Sequence, residues 1–213
     1  MGPKHPNTFS DRGSEKGRRG RPAFPRELVL AAADGLFADT DAPKAVSMDD
    51  IAAAAGVGKG TLFRAFGSRD GLLDALFAAR LTPLRSDIES TEPPLGSEAP
   101  PAQRVLAILD ELVSFKLDNR HLIAARELAG SRLLQSPHYL WMHHTLRALI
   151  EQIESAAPES ANYDAHILLG ALRADLLDEL LASGKSPEDI RRDLATLARR
   201  VLDTTRSDRP KHR

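Results

Sequence analysis

The chain has 213 residues, of which 42% are hydrophobic and 28% are charged, a composition that suits one or two globular domains with a sizeable core. It contains no cysteine, which excludes disulfides, thiolate zinc sites and cysteine nucleophiles and agrees with a reducing compartment. The formal net charge is −1, and no apolar run approaches the roughly 18 residues of a membrane span, so we expect a cytoplasmic protein without a membrane partner.

Residues 1–24 form a basic arm rich in Gly, Pro and Ser, and we expect it to be disordered because it has almost no apolar residues. Six cations against two acids give the arm a net charge of +4. Within it, the run Arg-Gly-Arg-Pro that contains Arg19 and Arg21 resembles an AT-hook, whose arginines enter a narrow A/T-rich minor groove. A solubilising basic tail, or a tag remnant around Met1 to His5, is the alternative interpretation.

A first helix is predicted from Pro25, a favourable first-turn residue, to about Ala38, and a loop follows it. A second helix starts at Ser47, where Asp50 three residues later completes a signal of the capping-box kind. Gly56 supplies a left-handed turn position before a third helix. The pattern predicts helix, glycine turn and helix, with these inward residues: Ile51, Ala52, Ala55, Leu62 and Ala65.

The outward positions of the third helix are Lys59, Gly60, Thr61 and Arg64. This set of two cations, one hydroxyl and one bare backbone position suits a helix in the DNA major groove, where Arg or Lys reaches guanine and Thr meets a thymine methyl or a phosphate. An ordinary solvated helical hairpin would satisfy the same polar face and is the alternative.

The segment IAAAAGVGKGTLFRAFGSRDGLL, residues 51–73, resembles the DNA-binding signature of the TetR/AcrR transcriptional regulators. The resemblance covers about residues 26–80, and beyond them only length and helical layout agree with the family. It implies an all-α fold of about nine helices, with an N-terminal three-helix helix-turn-helix head and a C-terminal bundle for ligand binding and dimerisation.

For the residues of this sequence, the resemblance implies that Lys59, Thr61 and Arg64 contact the edges of DNA bases. It also implies phosphate and sugar contacts by Ser47, the Gly60 backbone, Phe63 and Arg69. Four positions depart from the usual pattern, and one of them is Ala65, which stands where His or another polar residue is common. Gly58 removes the side-chain N-cap of the recognition helix, Phe63 replaces a Tyr and loses its hydroxyl, and Arg69 replaces a Lys but keeps its charge.

A fourth helix is predicted from Ser68 to about Leu84, and in the family this helix joins head and body and tilts when ligand binds. The head thus spans residues 25–84. Residues 85–101, rich in Pro, Glu and Ser, are interpreted as a linker. The body spans residues 102–206, beginning with helices at about 102–118 and 122–131, and a frayed tail follows at 207–213.

The helix predicted at 136–155 holds the only Trp of the chain, one of its two Tyr and three of its seven His. Aromatic walls with a few polar groups suit a small-molecule pocket, although Trp141 and Met142 could equally be core residues. Adjacent histidines point about 100° apart on a helix, so metal binding by His143 and His144 is disfavoured and no metal or cofactor is expected. The candidate pocket residues are Phe115, Leu122, Arg126, Tyr139, Trp141 and Met142.

Residues 162–183 are predicted to form one long helix closed by Gly184, and its leucines spread too widely for one face. The last helix starts at Ser186 and Pro187. Together they resemble the family's four-helix dimer interface, and two core helices of a monomer are the alternative. The candidate interface residues are Leu169, Leu172, Leu176, Leu180, Leu194, Leu197 and Val201.

These predictions combine into a homodimeric repressor that binds a palindromic operator and is released by a small apolar or aromatic effector. One alternative is a regulator of the same family without a small-molecule ligand, controlled by a protein partner. A second alternative is an α-helical enzyme, although the sequence offers no catalytic spacing for it. Its candidate groups would be His143, His144, Asp164 and His166.

Overall fold

The computed structural model describes residues 24–39, 45–127, 133–153 and 158–207. These residues form ten α-helices and a 3₁₀ turn at Leu133–Gln135, with no strand among them, and the predicted all-α class is confirmed. Arg19 and Arg21 of the predicted arm lie outside the described residues. The helices are α1 Arg26–Ala38, α2 Met48–Ala54, α3 Lys59–Phe66, α4 Arg69–Glu89, α5 Pro101–Asp118, α6 Arg120–Glu127, α7 Pro137–Glu151, α8 Pro158–Gly170, α9 Ala174–Ala182 and α10 Pro187–Ser207.

Short-range capping signals set several helix starts. The Ser47 hydroxyl oxygen accepts from the Asp50 amide at 3.2 Å, and the Asp50 carboxylate accepts from the Ser47 amide at 2.9 Å, so the capping box of α2 forms with Asp in place of Glu. Ser136 caps α7 by accepting from the amide of Tyr139. Each such bond satisfies an amide that the first turn leaves without a helical partner.

Two apolar clusters form the core. The head cluster joins α1, α2, α3 and the first half of α4, and it includes Leu122 and Ala125 of α6. The body cluster joins the second half of α4 with α5 and α7 to α10. Helix α4 therefore contributes to both clusters, with Leu72 and Leu76 in the head and Leu84 and Ile88 in the body.

Side-chain contacts of Asp34 link α6 to the head. Asp34 of α1 accepts from Arg80 of α4 and, at 3.2 Å, contacts the ring of His121 of α6. Burial by itself would raise the pKa of Asp34, but the hydrogen bonds from Arg80 and His121 outweigh it and hold the pKa below its usual value. The carboxylate thus ties three helices at the boundary between head and body.

The segment predicted as a linker is folded. Helix α4 continues to Glu89, past its predicted end at about Leu84 and through Pro83. An interior proline costs a helix about 3 kcal/mol, and burial of Leu84 and Ile88 in the body cluster offsets that cost. The loop after α4 is also fixed, because Arg104 donates to the carbonyls of Leu95 at 2.8 Å and Ile88 at 3.0 Å.

The prediction of one long helix at residues 162–183 is wrong, because the helix is interrupted between the end of α8 and the start of α9. At the break, the ammonium of Lys116 on α5 donates to the carbonyl of Leu172, which the helix no longer satisfies internally. Arg173 then takes the N-cap position of α9. The wide apolar spread therefore reflects two separate helices rather than one.

Candidate nucleic-acid interface and internal cavity

Helix α3 presents an exposed polar face. Lys59 and Arg64 are exposed, Thr61 is half-buried, and a Cβ added to Gly60 would meet nothing within 4 Å. Phe63 is 39% exposed although it is a large apolar side chain. The structure therefore gathers the five predicted contact positions of α3 on a surface open to a large partner.

The inward side of α3 differs from its prediction at one position. Leu62 and Phe66 are buried in the head cluster, whereas Ala65, predicted to face inward, is exposed. Phe66 packs against the ring of Phe24 with centroids 5.9 Å apart. The helix is thus anchored by one leucine and one aromatic, and the rest of its circumference stays accessible.

Two candidate contact residues already have partners within the head. The Lys59 ammonium lies 2.8 Å from the Asp49 carboxylate, and both side chains are largely exposed. Such exposed pairs contribute about 0–1 kcal/mol, so a DNA phosphate can compete for the ammonium. The Ser47 hydroxyl donates to the Asp50 carboxylate at 2.6 Å, so a phosphate contact by this hydroxyl would have to replace a bond of the capping box.

Arg69 has a structural contact that the sequence did not reveal. Its Nε donates to the Val46 carbonyl at 3.0 Å, and its guanidinium lies 5.1 Å from the centre of the Phe37 ring. The side chain thereby joins the start of α4 to the segment before α2 and to α1. A phosphate contact by Arg69 remains a prediction beside this role.

We expect Arg69→Ala to lower the free energy of unfolding by about 1–2 kcal/mol, because it removes a part-buried charged hydrogen bond and a cation–π contact. Chemical denaturation measures this change. Arg64→Ala, which removes an exposed arginine from the same head, is the control and should leave stability within about 0.5 kcal/mol. Equal stability of both variants would contradict the structural role of Arg69. A phosphate contact would in addition reduce the salt slope of DNA binding by about one.

A cavity of about 560 Å³ lies in the body beside the middle of α4, where Phe77 and Leu81 line it. Four of the six predicted pocket residues line it, namely Phe115, Arg126, Tyr139 and Met142. The other described lining residues are Phe77, Leu81, Leu112, Lys116, Ile123, Leu134, Ser136, His138, Tyr163, His166, Leu169, Gly170, Leu172 and Arg173.

Two predicted pocket residues lie elsewhere. Leu122 is fully buried in the head cluster, because successive residues of α6 point about 100° apart and Ile123 faces the cavity instead. Trp141 lies half-buried on α7 with the guanidinium of Arg85 4.8 Å from its ring centre. Both placements depend on how α6 and α7 are rotated about their own axes. The spacing of apolar residues within each helix does not determine that rotation.

Among the described residues of the cavity wall, the charged groups are cations. Arg126 is buried, donates to the Asp74 carboxylate at 2.7 Å and lies 4.1 Å from the centre of the Phe77 ring. Lys116 donates to the Leu172 carbonyl, and Arg173 pairs with Asp175 at 2.7 Å. Among the described lining residues, none is an Asp or a Glu.

A small polar cluster lies between α7 and α8. The Tyr139 hydroxyl and His166 Nδ1 are 2.6 Å apart, and the rings of His143 and His166 pack with centroids 3.9 Å apart. Burial raises the pKa of Tyr139, and burial together with the charge of His143 lowers the pKa of His166. His144, the other histidine considered for catalysis, is exposed. The described residues contain no group of three or more His, Cys, Asp or Glu able to hold a metal ion.

We expect His138 to make the free energy of unfolding depend on pH. Burial lowers its pKa below the ordinary 6.5, and the charge of Arg126 lowers it further, with a smaller contribution from Arg85 and an opposing one from Asp74. The unfolded chain therefore takes up this proton more readily, and the free energy of unfolding should decrease as the pH falls below about 6.5 and be insensitive to this group above it.

Replacing His138 with Gln should remove part of the decrease in the free energy of unfolding at low pH, as measured by chemical denaturation across a pH series. His144→Gln is the control, since His144 is exposed on the same helix. A His138→Gln profile parallel to that of the parent would contradict the assignment.

The residues predicted for the dimer interface divide into two groups. Leu172 and Leu194 are buried within the chain's own body cluster, so their assignment to an interface is corrected, whereas Leu169 is partly buried and lines the cavity. Leu176 is 41% exposed, and Leu180, Leu197 and Val201 are partly buried. On α8, Tyr163 and Ile167 add exposed apolar surface.

The sequence profile described as bacterial regulatory proteins, tetR family, matches residues 29–76, which include α2, α3 and the exposed face. No curated protein matches the chain in sequence. Within the described part of the chain, no helix is long and apolar enough to cross a membrane.

Several solved structures are similar to nearly the whole chain. A transcriptional regulator from Rhodococcus sp. Rha1 has 20% identity and a TM-score of 0.62, covering 85% of this chain and 97% of that one. Apo ActR from Streptomyces coelicolor has 18% identity and a TM-score of 0.64, covering 89% of this chain and 100% of that one. A TetR variant from Acinetobacter baumannii, solved in complex with minocycline, has 15% identity and a TM-score of 0.62. The match covers 86% of this chain and 97% of that one. At such identities the similarity establishes the fold.

Proposed function

We propose that the chain, a transcriptional regulator of the TetR family with a helix-turn-helix DNA-binding domain and not an enzyme, acts as a homodimeric repressor released from its operator by a small molecule. The observation that carries this proposal is the position of the cavity. Its wall includes residues of α4 and α6, and both helices also contribute to the head cluster.

For DNA binding, the exposed face of α3 enters the major groove. Lys59, Thr61 and Arg64 reach base edges, while Phe63 and the bare backbone at Gly60 lie against sugar and phosphate. Two heads related by a twofold axis require a palindromic operator whose half-sites are separated by about whole helical turns. The contacts at Ser47, at Arg69 and in the basic arm add sequence-independent affinity.

For dimerisation, α8 and α9 offer apolar surface that the chain leaves exposed. Ile167 and Leu176 lie on this surface together with Tyr163. Burial of apolar area is the main favourable contribution to such an interface. Association through α8, α9 and α10 also places two heads on the same DNA, as a palindromic site demands.

For effector binding, the cavity falls in the usual range of ligand pockets, roughly 300–1,000 Å³. Phe77 and Leu81 of α4 line it, as do Ile123 and Arg126 of α6. A ligand that prefers one arrangement of these walls shifts the population of head positions and thereby the affinity for DNA. The complex of the A. baumannii TetR variant with minocycline supports a small-molecule ligand in a protein of this fold. A body with this cavity is less suited to control by a protein partner alone.

The test begins by selecting bound duplexes from a random pool with the purified protein. We expect a palindromic consensus bound by two copies, and a compound screen should find molecules that release it. A monomer that shows no preference among duplexes at moderate salt would overturn the DNA-binding part of the proposal. A consensus that no cavity-binding compound releases would overturn the effector part.

A further inference from the structure

Asp49 places a carboxylate beside the residues proposed to contact DNA. It lies in the first turn of α2, and both of its carboxylate oxygens are 2.8 Å from the Lys59 ammonium of α3. Resting on the proposed base contact of Lys59, we infer that Asp49 is a positioning residue for this lysine and raises the preference of the protein for its operator over other duplexes. It acts through Lys59 and contacts no base itself.

A carboxylate on this surface is unfavourable for binding to DNA in general. The first helix of a helix-turn-helix crosses the phosphate backbone, and Ser47, a predicted phosphate contact, lies only two residues before Asp49. The Asp49 side chain is 60% exposed, so the DNA backbone can approach it closely. Contacts between cations and phosphates supply most non-specific affinity. An unpaired carboxylate at this position therefore weakens binding to every sequence.

The structure positions the Lys59 ammonium from two sides. The Asp49 carboxylate holds it from α2, and the Phe63 ring, one turn later on α3, has its centre 6.0 Å away, at the outer limit of a cation–π contact. The lysine side chain is still 61% exposed. Because an ammonium has three N–H donors, it can keep a hydrogen bond to the carboxylate and still donate to a guanine in the major groove.

The operator complex and a complex with unrelated DNA differ in what happens to this ion pair. In the operator complex the ammonium donates to a base edge while Asp49 stays bound, and the pair lowers the cost of ordering a long flexible side chain. On unrelated DNA the ammonium has no matching base and moves to a phosphate, which leaves the carboxylate unpaired near the backbone. Asp49 thus disfavours the unrelated complex more than the operator complex, and an unfavourable contact of this kind creates specificity.

Two other roles of Asp49 predict different results. As an acid in the first turn of α2, it also interacts favourably with the helix dipole. That role alone would change stability and leave the ratio of the two DNA affinities unaltered. A carboxylate can also accept directly from N4 of a cytosine, and that role would not require Lys59.

The test measures the affinity of the full chain for the selected operator and for a scrambled duplex of the same composition, at one fixed salt concentration. We expect Asp49→Asn to tighten binding to the scrambled duplex by roughly two- to fivefold for each bound head, the contribution of an exposed ion pair, and to change operator affinity by less than about twofold. The preference for the operator falls accordingly. Asp49→Glu keeps the charge and should retain most of the preference.

The decisive measurement repeats Asp49→Asn in a Lys59→Met background, as a double-mutant cycle. Because Asp49 acts through the ammonium, its replacement in this background should affect both duplexes equally and leave the ratio of their affinities unchanged. Glu89→Gln is the matched control, since Glu89 forms a similarly exposed pair with Arg85 at the far end of α4. It should alter neither affinity.

An unchanged affinity ratio for Asp49→Asn would overturn the inference, as would a fall in the ratio that persists in the Lys59→Met background. Equal weakening of both complexes, with an earlier midpoint of chemical denaturation, would overturn it by assigning Asp49 to the helix dipole alone. Failure of the proposed function is distinguishable, because the parent protein itself would then show no preference among duplexes, and both proposals would fall. A selective parent whose ratio Asp49→Asn leaves unchanged contradicts only the inference about Asp49.

Discussion

Arg64→Ala should relax the base preference of the bound protein and weaken binding to the preferred operator by on the order of 1–3 kcal/mol. Arg64 lies exposed in the last turn of α3, where its two parallel N–H groups can reach O6 and N7 of one guanine. Losing these two hydrogen bonds weakens binding to duplexes with the preferred base and leaves the affinity for duplexes with another base at that position nearly unchanged. The measurement is affinity for the selected operator and its single-base variants at one fixed salt concentration.

The control for Arg64→Ala is Arg147→Ala, which removes the same charge from α7, where Arg147 pairs with Glu151 on the body surface. It should leave affinity and base preference as in the parent. Uniform weakening of every sequence by Arg64→Ala, with a salt slope smaller by about one, would mean that Arg64 contacts a phosphate. In that case base readout would rest on Lys59 and Thr61.

The head could be predicted from sequence in detail because its signals are local. The capping box of Ser47 and Asp50 needs only a three-residue spacing, and it forms as expected. Gly56 adopts a φ of 64°, the left-handed region that glycine enters at no steric cost. The resemblance then assigned contact roles to Lys59, Phe63 and Arg64, which the structure finds exposed on α3, and to Arg69, which also has a structural contact.

The body was predicted less well because its features depend on contacts between residues far apart in sequence. The break between α8 and α9 is stabilised by Lys116, which lies on α5 and has no sequence relation to Leu172. Continuation of α4 through Pro83 likewise depends on packing against the body cluster. Local propensity predicts neither, because tertiary packing outweighs it at these positions.

Leu122→Ala should lower the free energy of unfolding by about 2–5 kcal/mol and weaken binding to the operator. Leu122 was predicted to line the pocket, but it is fully buried among head residues and is the α6 side chain that enters their cluster beside Ala125. Removing it leaves a void where α6 contacts the head, so the head loses packing and its attachment to α6. Chemical denaturation gives the stability change, and titration with the selected operator gives the change in affinity.

Leu140→Ala provides the control, since it makes the same truncation at a side chain that is 53% exposed on α7 and outside the cavity wall. It should change stability by no more than about 0.5 kcal/mol and leave operator binding intact. If Leu122 lined the cavity, its truncation would enlarge the cavity and alter the affinity for an effector found in the compound screen, while head stability stayed near that of the parent. We expect the reverse, with effector affinity of the folded variant unchanged, because Ile123 and Arg126 are the α6 side chains that line the cavity.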